Sequence, residues 1–109
     1  MRISRLPNMV KGWFIGNFQP AVIQTNDFEA AVKEYQAGDV EKKHYHKIAQ
    51  EVTVVIDGEV LMGGKNFQKG DIIHLAPGEA TDFKALTAAR TVVIKIPSVT
   101  GDKYFLKDS

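Results

Sequence analysis

The stretch GDVEKKHYHKIAQEVTVVIDG, Gly38 to Gly58, places two histidines one residue apart ahead of a glutamate, between two glycines. Side chains two positions apart on a strand lie on one face, about 6.6 Å apart, so His44 and His46 can lean toward a common point while Tyr45 faces away. Glu51 sits an odd number of positions beyond His46, so on an unbroken strand it would face the opposite way. Lys47 to Gln50 has the length of a turn, after which Glu51 starts a partner strand and faces the same interior as the histidines. Two neutral imidazoles and one carboxylate form a ligand set for a first-row divalent metal, with positions left open for water, dioxygen or a bidentate substrate.

The surrounding sequence reads as β-structure. EVTVVI is β-branched, and Asp57-Gly58 supplies positive φ for a tight hairpin turn into EVLM. Gly63-Gly64, Lys69-Gly70 and Pro77-Gly78 punctuate the short runs KNFQ, DIIHLA, TDFKAL and RTVVIKI, and Pro97 ends the last of these. The most helix-like stretch, Asp27 to Tyr35, is rich in Ala and Glu, but Phe28, Ala30 and Val32 alternate and Gly38 stops the run, so a strand is at least as good a reading in this β-rich neighbourhood. Short strands between Gly and Pro turns argue for an antiparallel barrel or sandwich.

The chain has 109 residues, which fits one domain, and its 44% hydrophobic and 25% charged content is that of an ordinary globular protein. Three segments are expected: N-terminal strands or an arm over 1–25, a core barrel over 26–97 and a tail over 98–109. The formal charge of +1 gives no electrostatic footprint for nucleic acid or an anionic membrane. With no cysteine there is no thiolate metal site, disulfide or cysteine nucleophile. Pro7, Asn8 and Lys11 interrupt the N-terminus before any signal-like apolar core, and no apolar run approaches the roughly 20 residues of a membrane helix. The expectation is a cytoplasmic protein with a small-molecule ligand, and no nucleic-acid or membrane partner.

The segment resembles the first motif of the cupin superfamily, G-x5-H-x-H-x4-E-x6-G, in which Gly38, His44, His46, Glu51 and Gly58 match every specified position. The second cupin motif, G-x5-P-x-G-x2-H-x3-N, is similar to Gly70–Ala85 in part: Gly70 and Gly78 match, Ala76 stands at the proline, Thr81 at the third ligand histidine and Ala85 at the asparagine. The resemblance implies an all-β, cupin-type antiparallel jelly-roll β-barrel, usually a homodimer, with its site inside the barrel. It also implies a divalent transition metal (Fe, Mn, Ni, Zn or Cu), here held weakly by a depleted set of His44, His46 and Glu51.

Two residues stand near the vacancy left by the third histidine. Asp82 is a carboxylate beside it, on the face opposite Thr81 unless a bulge shifts the register, and His74 enters only if its strand turns it inward. Both read better as surface residues. Thr53, Val55, Thr81 and Phe83 share the inward parity of the ligands and are expected to line the pocket. The facing of Lys33 and Lys95 is open, and Trp13 reads best as core. Three functions follow: a metal-dependent oxygenase or isomerase, a metal-free enzyme of the nucleotide-sugar isomerase or epimerase kind, and a non-catalytic barrel that binds a ligand or partner. The tail GDKYF, Gly101 to Phe105, bears a faint likeness to those isomerases.

Overall fold

The computed structural model describes residues 1–106. Eleven strands follow two short 3₁₀ turns: β1 (Trp13–Gly16), β2 (Ile23–Gln24), β3 (Glu29–Tyr35), β4 (Val40–Tyr45), β5 (Gln50–Asp57), β6 (Glu59–Met62), β7 (Lys65–Gln68), β8 (Ile72–Leu75), β9 (Thr81–Ala85), β10 (Ala89–Ile96) and β11 (Tyr104–Phe105). They form two facing sheets, one of six strands in the order β2-β1-β3-β10-β5-β8 and one of five in the order β11-β4-β9-β6-β7. The pairings are antiparallel except for β1 with β2, which is parallel. The Asp27–Tyr35 region is therefore strand over Glu29–Tyr35: hydrogen bonding to β1 and β10 on both sides overrides the helical leaning of Ala and Glu.

Two local expectations need correction. The Asp57-Gly58 turn does not close a hairpin, because β5 lies in the six-stranded sheet and β6 in the five-stranded one. Gly58 (φ +83°) carries the chain around a corner between sheets. Likewise β5, which carries Glu51, is not the partner of β4 but lies in the sheet facing it. The two-glycine turn at Gly63-Gly64 does form a hairpin, with Met62 opposite Lys65. Sequence patterns report turns, whereas the sheet each strand joins is decided by long-range pairing.

The cross-strand register fixes which side chains face inward, since directly paired residues share a face. Across β3, β10 and β5 the inner rows are Glu29–Lys95–Glu51, then Ala31–Val93–Thr53, then Lys33–Thr91–Val55. At one end of the barrel this interior is apolar: Val55, Val60, Met62, Phe83, Ala85 and Ala89 form a buried cluster, with Tyr35, Phe67 and Ile73 packed against it. Full burial of side chains such as Val55 and Val60 contributes about 1.5–3 kcal/mol each. The other end carries the charged row.

The residues expected to be a tail are part of this frame. Strand β11 pairs with β4 beside the histidines, Tyr104 against Tyr45 and Phe105 against His44, and the two tyrosine rings stack 5.5 Å apart on the outer face. Part of the expected 98–109 segment, residues 107–109, lies outside the described residues.

Candidate functional site in the polar half of the barrel

The interior cavity measures about 220 Å³ and is lined by His44, Glu51, Thr53, Thr81 and Phe83, together with Trp13, Glu41 and four lysines. His44 sits near the end of β4 and pairs across to Thr81. Thr81, at the place of a third histidine, is thus an inward-facing neighbour of His44 whose hydroxyl donates to the Asp82 carbonyl. Val55 lies one layer deeper, within the apolar cluster rather than on the cavity wall.

His46 is buried, at 6% exposure, and opens onto an adjoining cleft with Asn17, Ala49, Ser98 and Asp102. Lys95, Glu29 and Lys103 line both spaces. The two imidazoles stand edge to face with centroids 5.4 Å apart. Each is anchored at Nδ1, which donates at 2.8 Å to a backbone carbonyl: that of Lys42 for His44, and that of Asp102 for His46. Both rings therefore keep Nε2 clear of the backbone anchor, the arrangement by which outer hydrogen bonds orient metal-binding histidines. The Nε2 of His46 is buried without a hydrogen-bond partner. Burial, followed by the Lys95 charge, pushes the His46 imidazole below its ordinary value, so it is neutral at pH 7.

Glu51 completes less of the set. It pairs in register with Lys95, and among the described residues no three His, Asp or Glu side chains converge as a ready ligand group. Burial pushes the Glu51 carboxyl up, and Lys95 opposes that rise. The structure thus brings His44 and His46 together and sets Glu51 opposite Lys95 in the strand register. A centroid separation of 5.4 Å suits two nitrogens each about 2 Å from one ion, and the unpartnered Nε2 is a donor such an ion would satisfy. The two imidazoles fit a cation; the carboxylate stands in register with Lys95, whose ion-pair partner is Glu29.

The weaker ligand candidates have other partners. His74 is exposed on the outer side of β8, within 2.9 Å of the Gln50 side-chain oxygen. Asp82 is also exposed, and its carboxylate accepts from the Gly63 amide at 3.0 Å, bracing the β6–β7 turn.

Sequence reasoning missed Asp102. Its buried carboxylate accepts from the amides of Lys47, Ile48 and Ala49 at 2.9–3.2 Å while its carbonyl holds His46. One residue of the C-terminal segment thus shapes the turn between the histidines and Glu51 and also aims an imidazole. The missed cavity residues are Trp13, Lys33 and Lys95; only the β3–β10–β5 register shows that both lysines point inward.

No protein-family profile matches the chain, and no curated protein matches it. Solved structures do. An uncharacterized conserved protein with a double-stranded β-helix domain from Klebsiella pneumoniae superposes with a TM-score of 0.71 at 23% identity, over 80% of this chain and 76% of that one. KdgF from Halomonas sp. gives 0.64 at 20% identity, over 70% and 74%. A sugar phosphate isomerase of the cupin superfamily from Silicibacter pomeroyi gives 0.66 at 19% identity, covering 75% of this chain and 58% of that one. The chain has the double-stranded β-helix, jelly-roll fold of these proteins.

Proposed function

We propose that this cupin-fold barrel binds a small polar ligand in its polar half, and that His44 and His46, with Glu51 as carboxylate, hold a divalent transition metal there weakly. The observation that carries the proposal is the buried, unpartnered Nε2 of His46 beside a second imidazole whose Nε2 is equally free of its backbone anchor. Leaving such a nitrogen without a partner costs about 1–3 kcal/mol, which a ligated ion would offset. When bound, a metal in such a site polarises a carbonyl or enol oxygen, or assembles substrate with dioxygen, which is the chemistry of an isomerase or an oxygenase. The chain's own residues do the rest: Asp102 and Lys42 fix the imidazoles, and the Lys95 charge, felt by both Glu51 and His46, opposes a second cation and keeps affinity low. The same reading includes a homodimer formed through exposed sheet edges, with Ile72 on β8 among their apolar side chains, and a cytoplasmic location.

Lys95 favours a second reading. Its ammonium group lies between Glu29 and Glu51 in one inner row, 4.0 Å from the Glu29 carboxylate, so the site already contains a cation. A barrel of this kind works without metal, His44 serving as proton shuttle with Glu51 beside it, as in metal-free isomerases or epimerases. A third reading, a non-catalytic barrel, has the loss of the third histidine in its favour.

Calorimetric titration of untagged protein with Zn(II), Ni(II) or Mn(II) at pH 8 separates the first reading from the others. One ion binds per chain in the wild type and the His74→Ala variant, while His46→Ala weakens binding by about 100-fold or more, at or beyond the upper end of what losing a mere supporting partner of a ligand costs. Binding that His46→Ala leaves unchanged overturns the metal reading in favour of the Lys95-based one.

A further inference from the structure

The cavity wall carries a feature that neither the histidines nor Glu51 explain. Lys11, Lys33, Lys95 and Lys103 reach it from four separate places: the second 3₁₀ turn, β3, β10 and the segment before β11. Two of them converge on one aromatic ring, with the Lys33 Nζ 5.0 Å and the Lys95 Nζ 4.9 Å from the centroid of Trp13. The two nitrogens are therefore at most about 10 Å apart, no more than one Debye length at about 0.1 M salt. Lys95 has the Glu29 carboxylate at 4.0 Å, whereas among the described residues no carboxylate comes within ion-pairing distance of Lys33.

Four carboxylates also face this space: Glu41 is near Lys33 and Tyr35, Glu51 stands in register with Lys95, Glu29 is bound by the Ser98 hydroxyl at 3.0 Å, and Asp82 is bound by the Gly63 amide. None of these contacts neutralises Lys33 directly. Burial lowers the Lys33 pKa; Glu41 acts to raise it, and the charges of Lys95, Lys11 and Lys103 add to the lowering. Holding the half-buried ammonium groups of Lys33 and Lys95 near each other costs free energy that an anion placed between them would recover, with the exposed Lys11 and Lys103 at the rim.

We infer that the Trp13 side of the cavity, bounded by Lys33, Lys95, Lys11 and Lys103, is a binding site for the oxyanion of a small organic acid or phosphate ester. The lysines supply point-charge donors to a carboxylate or phosphate, and Trp13 holds the two inner ones in place through cation–π contact. Both sources present the same chemistry, an oxyanion on a small molecule that fits beside His44. The inference rests on the reading above in placing the ligand in the polar half of the barrel, but not on the presence of a metal.

The test uses the whole chain in buffer passed over chelating resin, with inorganic phosphate and malonate as probes at constant ionic strength. Binding is followed by calorimetry and by the emission of Trp13, the only tryptophan in the chain and a reporter inside the site. One or both probes bind and change the Trp13 emission. Lys33→Met weakens binding about ten-fold or more, Lys33→Arg stays within a few-fold, and Lys69→Met, on the distant β7–β8 turn, has no effect. Should Lys33→Met fail to fold, Lys103→Met, at an exposed position, gives the same direction of change. Tighter phosphate binding identifies a phosphate ester, and tighter malonate binding a carboxylic acid. No binding below about 10 mM, binding without a Trp13 response, or binding indifferent to both Lys33→Met and Lys103→Met overturns the inference. Because metal is excluded throughout, a positive result stands even if the metal titration fails, and a negative one leaves the metal reading intact.

Discussion

Asp102→Ala destabilises the protein by about 3 kcal/mol, seen as a fall of roughly 15 °C in the thermal midpoint. The Asp102 side chain is 5% exposed, and its carboxylate accepts from three successive amides, those of Lys47, Ile48 and Ala49. Hydrogen bonds to a charged acceptor contribute about 1.5–3 kcal/mol each, and truncation also strands the buried Ala49 amide. Asp102→Asn keeps an acceptor without the charge and falls between the two. The pH dependence has a definite sign. Burial alone would raise the Asp102 carboxyl, but the amides of Ala49, Ile48 and Lys47 outweigh it and hold the group below its ordinary value. A group depressed on folding contributes stability that is complete above its unfolded value, about 3.9, and is lost as pH falls through the lower folded value. Denaturant titrations between pH 6 and pH 2 therefore show an acid-side loss in the wild type that is shallower in Asp102→Ala. Equal slopes would mean that the carboxylate does not carry this turn.

Gly58→Ala has a comparable effect by a different route. Gly58 has φ +83°, and a Cβ there would stand 2.2 Å from the Ala88 carbonyl oxygen and 2.9 Å from the Ala89 Cα, so backbone on the far side of the corner must move. Gly38, the other glycine bounding the histidine segment, has φ +92°, but a Cβ added there would meet nothing within 4 Å. Gly38→Ala therefore incurs only the left-handed strain, about 1 kcal/mol, whereas Gly58→Ala costs about 3–4 kcal/mol. The pair measured side by side separates strain from collision. Equal losses would show that the corner yields freely.

The contrast between these glycines also shows what was legible in the sequence. Gly58, His44, His46 and Glu51 are set by local demands, namely a positive φ, strand alternation and one turn, and their spacing is visible without knowing what lies across the barrel. The division of β4 and β5 between two sheets was not legible, because the Asp57-Gly58 dipeptide serves a corner as well as a hairpin. Asp102 was hidden by distance: it meets His46 across 56 positions of chain, and nothing near Asp102 announces the contact. The inward facing of Lys33 and Lys95 depended on a strand at 29–35 whose local composition also suited a helix. Once β10 pairs with it, Lys33 opposite Thr91 and Lys95 opposite Glu29, both lysines must share the face of Glu51. His46 opens onto a cleft that Glu51 does not line, so residue spacing alone overstated how closely the three ligands meet.

The central claim is that His44 and His46 bind one cation together. Electron paramagnetic resonance of untagged protein loaded with one equivalent of Cu(II) tests it directly. The account predicts nitrogen splitting from two imidazoles in the wild type, reduced to one in His46→Gln. A one-nitrogen pattern in the wild type, or the spectrum of the free aqueous ion, would contradict it.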